Sequence, residues 1–342
     1  MRVRILPNNE RPFGNELVKY KKMGNVTQVM HSQKRNTICP ILKLDRKTYV
    51  YIETGEMKNF CHNESRADDL NSVRVSMRKL RDYFNTNLTD VSKAKLVTVT
   101  YGQPDDKPMT DTVKLYNDVR KFIAKARRSF GHFEYIYVVE PQGCGAWHCH
   151  IIMIFPKKAP FIPNEVMAEM WGHGYTKTTE IKDASNVGAY LSVYFTDVEL
   201  NEYVNAGNDT PCENSIKTVS VEDESGNMVE KKFVKGARLH MYPPGINIYR
   251  ASKNIKKPVV ERITAAEAES RVAGQKLTFE RTIYIWDDNT GFDNTINYQY
   301  YNNHTSEEKL YEKPKSKYTP NNKYRNSPAR VLRTPRNRQQ RD

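Results

Sequence analysis

Residues 133–155 read FEYIYVVEPQGCGAWHCHIIMIF, and the architecture follows from this run more than from any other. Phe133 to Glu140 and Trp147 to Phe155 are rich in β-branched and aromatic residues, as strands are. Pro141-Gln-Gly-Cys-Gly145 between them carries turn residues, so the two strands form a hairpin. Upstream, Lys95-Leu-Val-Thr-Val-Thr-Tyr101 is another strand, ending at Gly102 and Pro104. Thr110 or Asp111 then caps a helix whose apolar residues, from Val113 through Phe122 to Phe130, keep helical spacing up to Gly131. Downstream, Asn164 caps a short helix through Met170, stopped by Gly172. Gly174 to Ile181 makes a fourth strand, and Asp183 or Ser185 starts a helix reaching about Leu200. The order βαββαβ with one extra helix predicts an α+β domain with a ferredoxin-like, split βαβ antiparallel sheet.

Around this centre the chain divides into four expected regions. Residues 1–90 form an accessory region, with a hairpin over 38–60 turning near Thr54-Gly55 and a helix over Arg66 to Asn85. The βαββαβ domain occupies 91–205. Residues 206–302 hold a polar insertion, read as a surface excursion to about Lys235, and a further accessory segment. Within that segment, Arg238 to Lys257 either lies against nucleic acid or covers the domain as a strand. Residues 303–342 are expected to be a disordered basic tail. Nine of the chain's net positive charges fall in 313–342, together with four prolines and little apolar periodicity.

The 342 residues carry 54 basic and 40 acidic side chains, a net charge of +14. Tyr is common at 21 residues, against 12 Phe and 3 Trp. Basic charge with tyrosine points to nucleic acid as partner, through phosphate contacts and base stacking. The mean hydropathy of −0.76 leaves part of the chain solvated. No apolar run approaches the roughly 20 residues of a membrane span, and the N-terminus lacks a signal peptide's apolar core. A cytoplasmic protein with no membrane partner is expected. The five cysteines include no CxxC pair and read as reduced thiols. No GxxxxGK[ST] motif is present, so the chain encodes no P-loop motor.

His148 and His150 flank Cys149, and residues i and i+2 of a strand share a face. Glu140 closes the preceding strand, so the hairpin can bring its carboxylate beside both imidazoles. Two neutral imidazoles and a carboxylate make a three-ligand site with open positions, suited to Mg²⁺ or Mn²⁺. The plain alternative is a pair of half-buried strand histidines. A zinc site using Cys144 and Cys149 fails, because Cys149 points away from the histidines. On the last helix, Tyr190 and Tyr194 lie about 40° apart on one face. They either flank the core stripe of Val187, Leu191, Phe195 and Val198 or form a pair of nucleophiles.

LVTVTYG (96–102), EPQGCGAWHCHIIMIF (140–155) and NVGAYLSVYF (186–195) resemble, in order, the three motifs of HUH endonucleases. The resemblance is to rolling-circle replication initiators of bacterial plasmids and phages, of the two-tyrosine type, and spans about Lys95 to Val198. It implies metal ligation by Glu140, His148 and His150, and cleavage of single-stranded or hairpin origin DNA by Tyr190 or Tyr194. The products would be a 5′-phosphotyrosine and a free 3′-hydroxyl, with religation by the reverse step, in the cytoplasm of a bacterial host. A host helicase and DNA polymerase are the implied partners. Many relatives place a lysine just after the tyrosine motif, whereas here Phe195-Thr196-Asp197 follow. Lys177 and Lys182 are the substitutes at hand. A third histidine, usual in relaxases, is replaced by Glu140, which favours an initiator over a relaxase or transposase. Outside this chemistry stand a non-catalytic basic nucleic-acid-binding protein and a metal-dependent hydrolase using water.

Overall fold

The alternating run at 95–101 forms a strand over Ala94–Thr100, and the capped stretch after it forms a helix over Thr112–Phe130. In the computed structural model the Asp111 carboxylate accepts from the backbone N–H groups of Val113 and Lys114, at 2.8 and 3.0 Å, and so closes the helix start. The structure describes residues 2–35, 39–45, 47–60, 70–103, 107–142, 144–181, 198–200, 204, 216–222, 228–234, 237, 239–243 and 245–303. From the N-terminus come β1 (Arg2–Ile5), β2 (Leu17–Met23), β3 (Val26–Ser32), β4 (Ile41–Lys43), β5 (Thr48–Tyr51), β6 (Met57–Asn59) and α1 (Leu70–Asn87). The middle holds β7 (Ala94–Thr100), α2 (Thr112–Phe130), β8 (Glu134–Pro141), β9 (Trp147–Ile154), α3 (Asn164–Trp171) and β10 (Thr176–Glu180). Then follow β11 (Val198–Glu199), β12 (Ile216–Glu222), β13 (Met228–Val234), β14 (Tyr249–Ala251) and β15 (Val259–Thr264). The last described elements are α4 (Ala265–Val272), β16 (Lys276–Asp287) and β17 (Phe292–Asn302). Antiparallel sheets with four α-helices among the described residues make this an α+β structure, the class the sequence predicts.

The central sheet has the order β10-β7-β9-β8-β14, and every neighbouring pair is antiparallel. Its two faces differ. Val97, Val99, Cys149, Ile151, Met153 and Val139 are fully buried on one face. There α2 supplies Leu115, Val119, Phe122, Ile123 and Ala126 to the same core. On the other face, α1 adds Val73, Leu80 and Phe84 to a core that buries Ile136 and Ile152. The remaining part of that face carries His148 and His150, both partly accessible.

A six-stranded sheet, β1-β16-β17-β3-β2-β15, joins strands from both ends of the described chain. It packs α4 against Val18, Tyr20, Val29 and Ile263. Local periodicity does not reveal this sheet. β2 and β3 carry lysines and glutamine at buried positions, which blurs their alternation. Lys21 explains how: its ammonium is buried and bonds both oxygens of Asp82 on α1 at 3.0 Å. Burial pulls the Lys21 pKa down, and Asp82 opposes that pull. Gly24, at φ +56, lies where a Cβ would sit 2.5 Å from the Asn85 carbonyl oxygen, so only glycine lets the β2–β3 turn approach α1.

Other segments also differ from expectation. Where the alternation over 38–60 predicts one hairpin, three short strands form, because the Asp45 carboxylate accepts from the N–H groups of Lys47 and Thr48 and reverses the chain. The polar stretch before Lys235 contains the β12–β13 hairpin, with β11 paired to β13. Between 238 and 257, β14 adds an edge strand to β8, and Tyr242 is buried with its hydroxyl donating to the Val139 carbonyl at 2.9 Å. The covering-strand reading of that segment is the one the structure shows. Residues 182–197, with Lys182, Tyr190 and Tyr194, lie outside the described residues, as does the basic tail at 313–342. No helix among the described residues is long and apolar enough to cross a membrane.

Candidate metal centre

The β8–β9 hairpin sets the site. Its register pairs Glu140 with His148 and Val138 with His150, so all four project from one face. The loop closes through Gln142 N–H to the Ala146 carbonyl and Gly145 N–H to the Gln142 carbonyl, both 2.8 Å. Gly145 has φ +87, a conformation that disfavours side chains. Trp147, at the start of β9, is held from both directions. Its backbone N–H donates to Met109 and its indole N–H to Thr110, each at 3.0 Å. Its ring meets Tyr242 edge-on at 5.7 Å.

Glu140 Oε2 lies 3.0 Å from His148 Nε2 and 3.3 Å from His150 Nε2, and the two Nε2 atoms are 3.1 Å apart. These three residues form a group that could hold a metal ion. Adjacent ligands of an octahedral cation with bonds of about 2.1 Å lie about 3.0 Å apart. The observed triangle therefore has the dimensions of one octahedral face, with the remaining positions free for oxygen ligands. The Glu140 side chain is 1% exposed, while those of His148 and His150 are 14% and 18% exposed. The carboxylate is thus the floor of the site and the imidazoles are its rim.

Thr98 completes the arrangement, and the sequence did not reveal it. It sits opposite His150 on β7, with its Oγ1 3.1 Å from His150 Nδ1. An Nδ1–H donated to that hydroxyl leaves the Nε2 lone pair facing Glu140. The signal lay in LVTVT, whose threonines alternate onto the histidine face. Thr98→Val keeps the shape and removes the acceptor. It is expected to weaken Mn²⁺ binding about 10- to 100-fold, read by titration calorimetry, with the melting temperature of the metal-free protein little changed.

Cys149 is fully buried on the opposite face, where burial pushes its thiol pKa well up, and Cys144 is exposed. Neither belongs to the group. Lys177 pairs in register with Thr98, which places it in the row Lys177–Thr98–His150–Val138 on the same face. It is exposed and two strands from His150.

Every residue of this group lies within one matched segment. Residues 94–199 match the family model of the replication-associated protein ORF2 type. The match supports a replication initiator, and it takes in β7 through β11 as well as Tyr190 and Tyr194. No curated protein and no solved structure is significantly similar to the chain.

Proposed function

We propose that this protein is a HUH-type replication initiator that nicks and religates single-stranded origin DNA through a tyrosine of the pair Tyr190 and Tyr194. The observation that carries the reading is the convergence of Glu140, His148 and His150 on one point of a sheet face within the matched segment. The order β10-β7-β9-β8, with α2 after β7 and α3 after β9, supports a ferredoxin-like split βαβ plan for that segment.

Glu140, His148 and His150 would hold Mg²⁺ or Mn²⁺, whose chemistry is to polarise the scissile phosphate and offset developing charge. The tyrosine phenolic oxygen, having lost its proton, attacks phosphorus. The bond from phosphorus to the 3′ oxygen breaks, and that oxygen takes up a proton as a free 3′-hydroxyl. The 5′ phosphate stays on tyrosine. Attack by a 3′-hydroxyl reverses the step and reseals the strand. No ATP is consumed, because the phosphotyrosine bond replaces the phosphodiester bond one for one. A second tyrosine permits a second cut while the first is occupied. A host polymerase would extend the 3′-hydroxyl, and a host helicase would open the duplex, in the bacterial cytoplasm.

The test is a covalent protein–DNA band after incubation with origin DNA and Mn²⁺. Tyr190→Phe and Tyr194→Phe should each retain some adduct, and the double variant none. Phe keeps the ring, so lost adduct reports the hydroxyl. An adduct that survives in the double variant, or cleavage to free ends with no adduct, sinks the proposal.

A further inference from the structure

The residue row that carries His150 continues past it: Thr98, His150, Val138 and Tyr249 lie side by side on one sheet face. Tyr249 is two strands from His150, about 10 Å at ordinary strand spacing. It stands on β14, the edge strand, and its ring meets Tyr83 of α1 at 6.1 Å and 78°. Between α1 and β14 opens a groove of about 610 Å³, lined by Ser76, Lys79, Tyr83, Tyr249, Lys253 and Lys257 among others, with no carboxylate in its lining. The three lysines are exposed, and among the described residues none forms an ion pair. Both tyrosines are half-buried. Burial raises the Tyr249 phenol to about 12, so it stays neutral and acts as an aromatic surface. The groove therefore combines unpaired cations with an aromatic wall, beside the metal centre and on the same face.

We propose that the groove between α1 and β14 holds the single DNA strand as it leaves the metal centre, with Lys79, Lys253 and Lys257 on its phosphates and a base against Tyr83 and Tyr249. The proposal rests on the reading of Glu140, His148 and His150 as the cleavage site. Both walls lie outside residues 94–199, so they are features of this chain beyond the matched segment. An unpaired strand is the fitting occupant, because stacking on tyrosine needs a base face that a duplex hides.

The test uses the full chain and a fluorescein-labelled oligothymidine, with anisotropy titrations in EDTA over a range of salt. Losing three phosphate contacts on a single strand lowers the slope of log K against log salt by about 2. The triple variant Lys79→Ala, Lys253→Ala, Lys257→Ala should show that drop, bind at least about tenfold more weakly at low salt, and still form adduct at saturating protein. Ultraviolet cross-linking of a 5-bromodeoxyuridine oligonucleotide to the unaltered chain should yield peptides containing Tyr83 or Tyr249. An unchanged slope overturns the proposal. If the triple variant melts early, the cross-link decides, and cross-linked peptides lacking both tyrosines overturn it. A lowered slope without any adduct from the unaltered chain keeps the groove and removes the cleavage reading. Adduct with an unchanged slope does the reverse.

Discussion

Glu140→Gln is expected to lower Mn²⁺ affinity by more than about 100-fold and to abolish the covalent DNA adduct. Exchanging an outer partner of a metal site costs about 10- to 100-fold, and a direct ligand costs more. The substitution keeps the side-chain volume, so the fully buried position stays filled while both imidazoles lose the carboxylate that faces them. Melting with and without metal separates this effect from misfolding. At a Mn²⁺ concentration 100 times its dissociation constant, the unaltered protein gains about 2.7 kcal/mol. A variant binding 100-fold more weakly gains only about 0.4 kcal/mol by the same relation. The metal-free variant should melt no lower than the unaltered chain, since a buried charge is removed. Unaltered Mn²⁺ affinity in Glu140→Gln would place the cation elsewhere. His148→Ala should lose metal and adduct alike while keeping most DNA affinity, which comes from cations away from the site.

The second large effect is on stability. Gly174 precedes β10 with φ +148, and a Cβ there would lie 2.3 Å from the Gly102 nitrogen, 2.6 Å from the Thr100 carbonyl oxygen and 2.8 Å from the Tyr101 carbonyl carbon. All three are backbone atoms at the end of β7, where Thr100 N–H donates to Tyr175 at 2.9 Å and Gly102 N–H to His173 at 2.7 Å. Backbone cannot rotate aside as a side chain can. Gly174→Ala should therefore cost about 3 kcal/mol or more, combining a strained dihedral with a forced shift of β7 against β10. Gly102→Ala is the control: its Cβ would meet the His173 oxygen at 3.6 Å, an ordinary contact, so about 1 kcal/mol or less is expected. Urea denaturation of the two variants measures both. Equal midpoints would mean that this strand junction adapts.

The sequence displayed the parts of the fold whose signals are local. Asp111 announced α2, and the alternating threonines and valines of 95–101 announced β7, whose observed limits are Ala94–Thr100. Asn164 looks like a cap in the sequence, but Pro163 takes the cap position, and the Asn164 side chain accepts instead from Thr178 N–H at 2.7 Å, fastening α3 to β10. That bond depends on a residue 14 positions away, which no local window contains. The six-stranded sheet was hidden for the same reason. Its pairings join β1 to β16 and β3 to β17, more than 250 residues apart, and its buried Lys21 and Gln28 look like surface residues until Asp82 and the Tyr300 hydroxyl are beside them. At the site, Glu140, His148 and His150 were legible because strand periodicity and one short loop bring them together. Thr98 was not, since its role comes from the register of β7 on β9.

The six-stranded sheet also sets an order of assembly on the ribosome. β2 and β3 are made first, yet their outer neighbours β15 and β17 begin at Val259 and Phe292. At about 5–20 residues per second, the gap between Ser32 and Val259 takes about 11–45 s to synthesise. A lone two-stranded hairpin is marginal in water, so both of its edges stay open throughout that interval. The central sheet needs nothing beyond Ala251 and is free to fold in the meantime. Synthesis thus delivers a metal-binding hairpin already set in its own sheet before the chain's two ends can be stitched together.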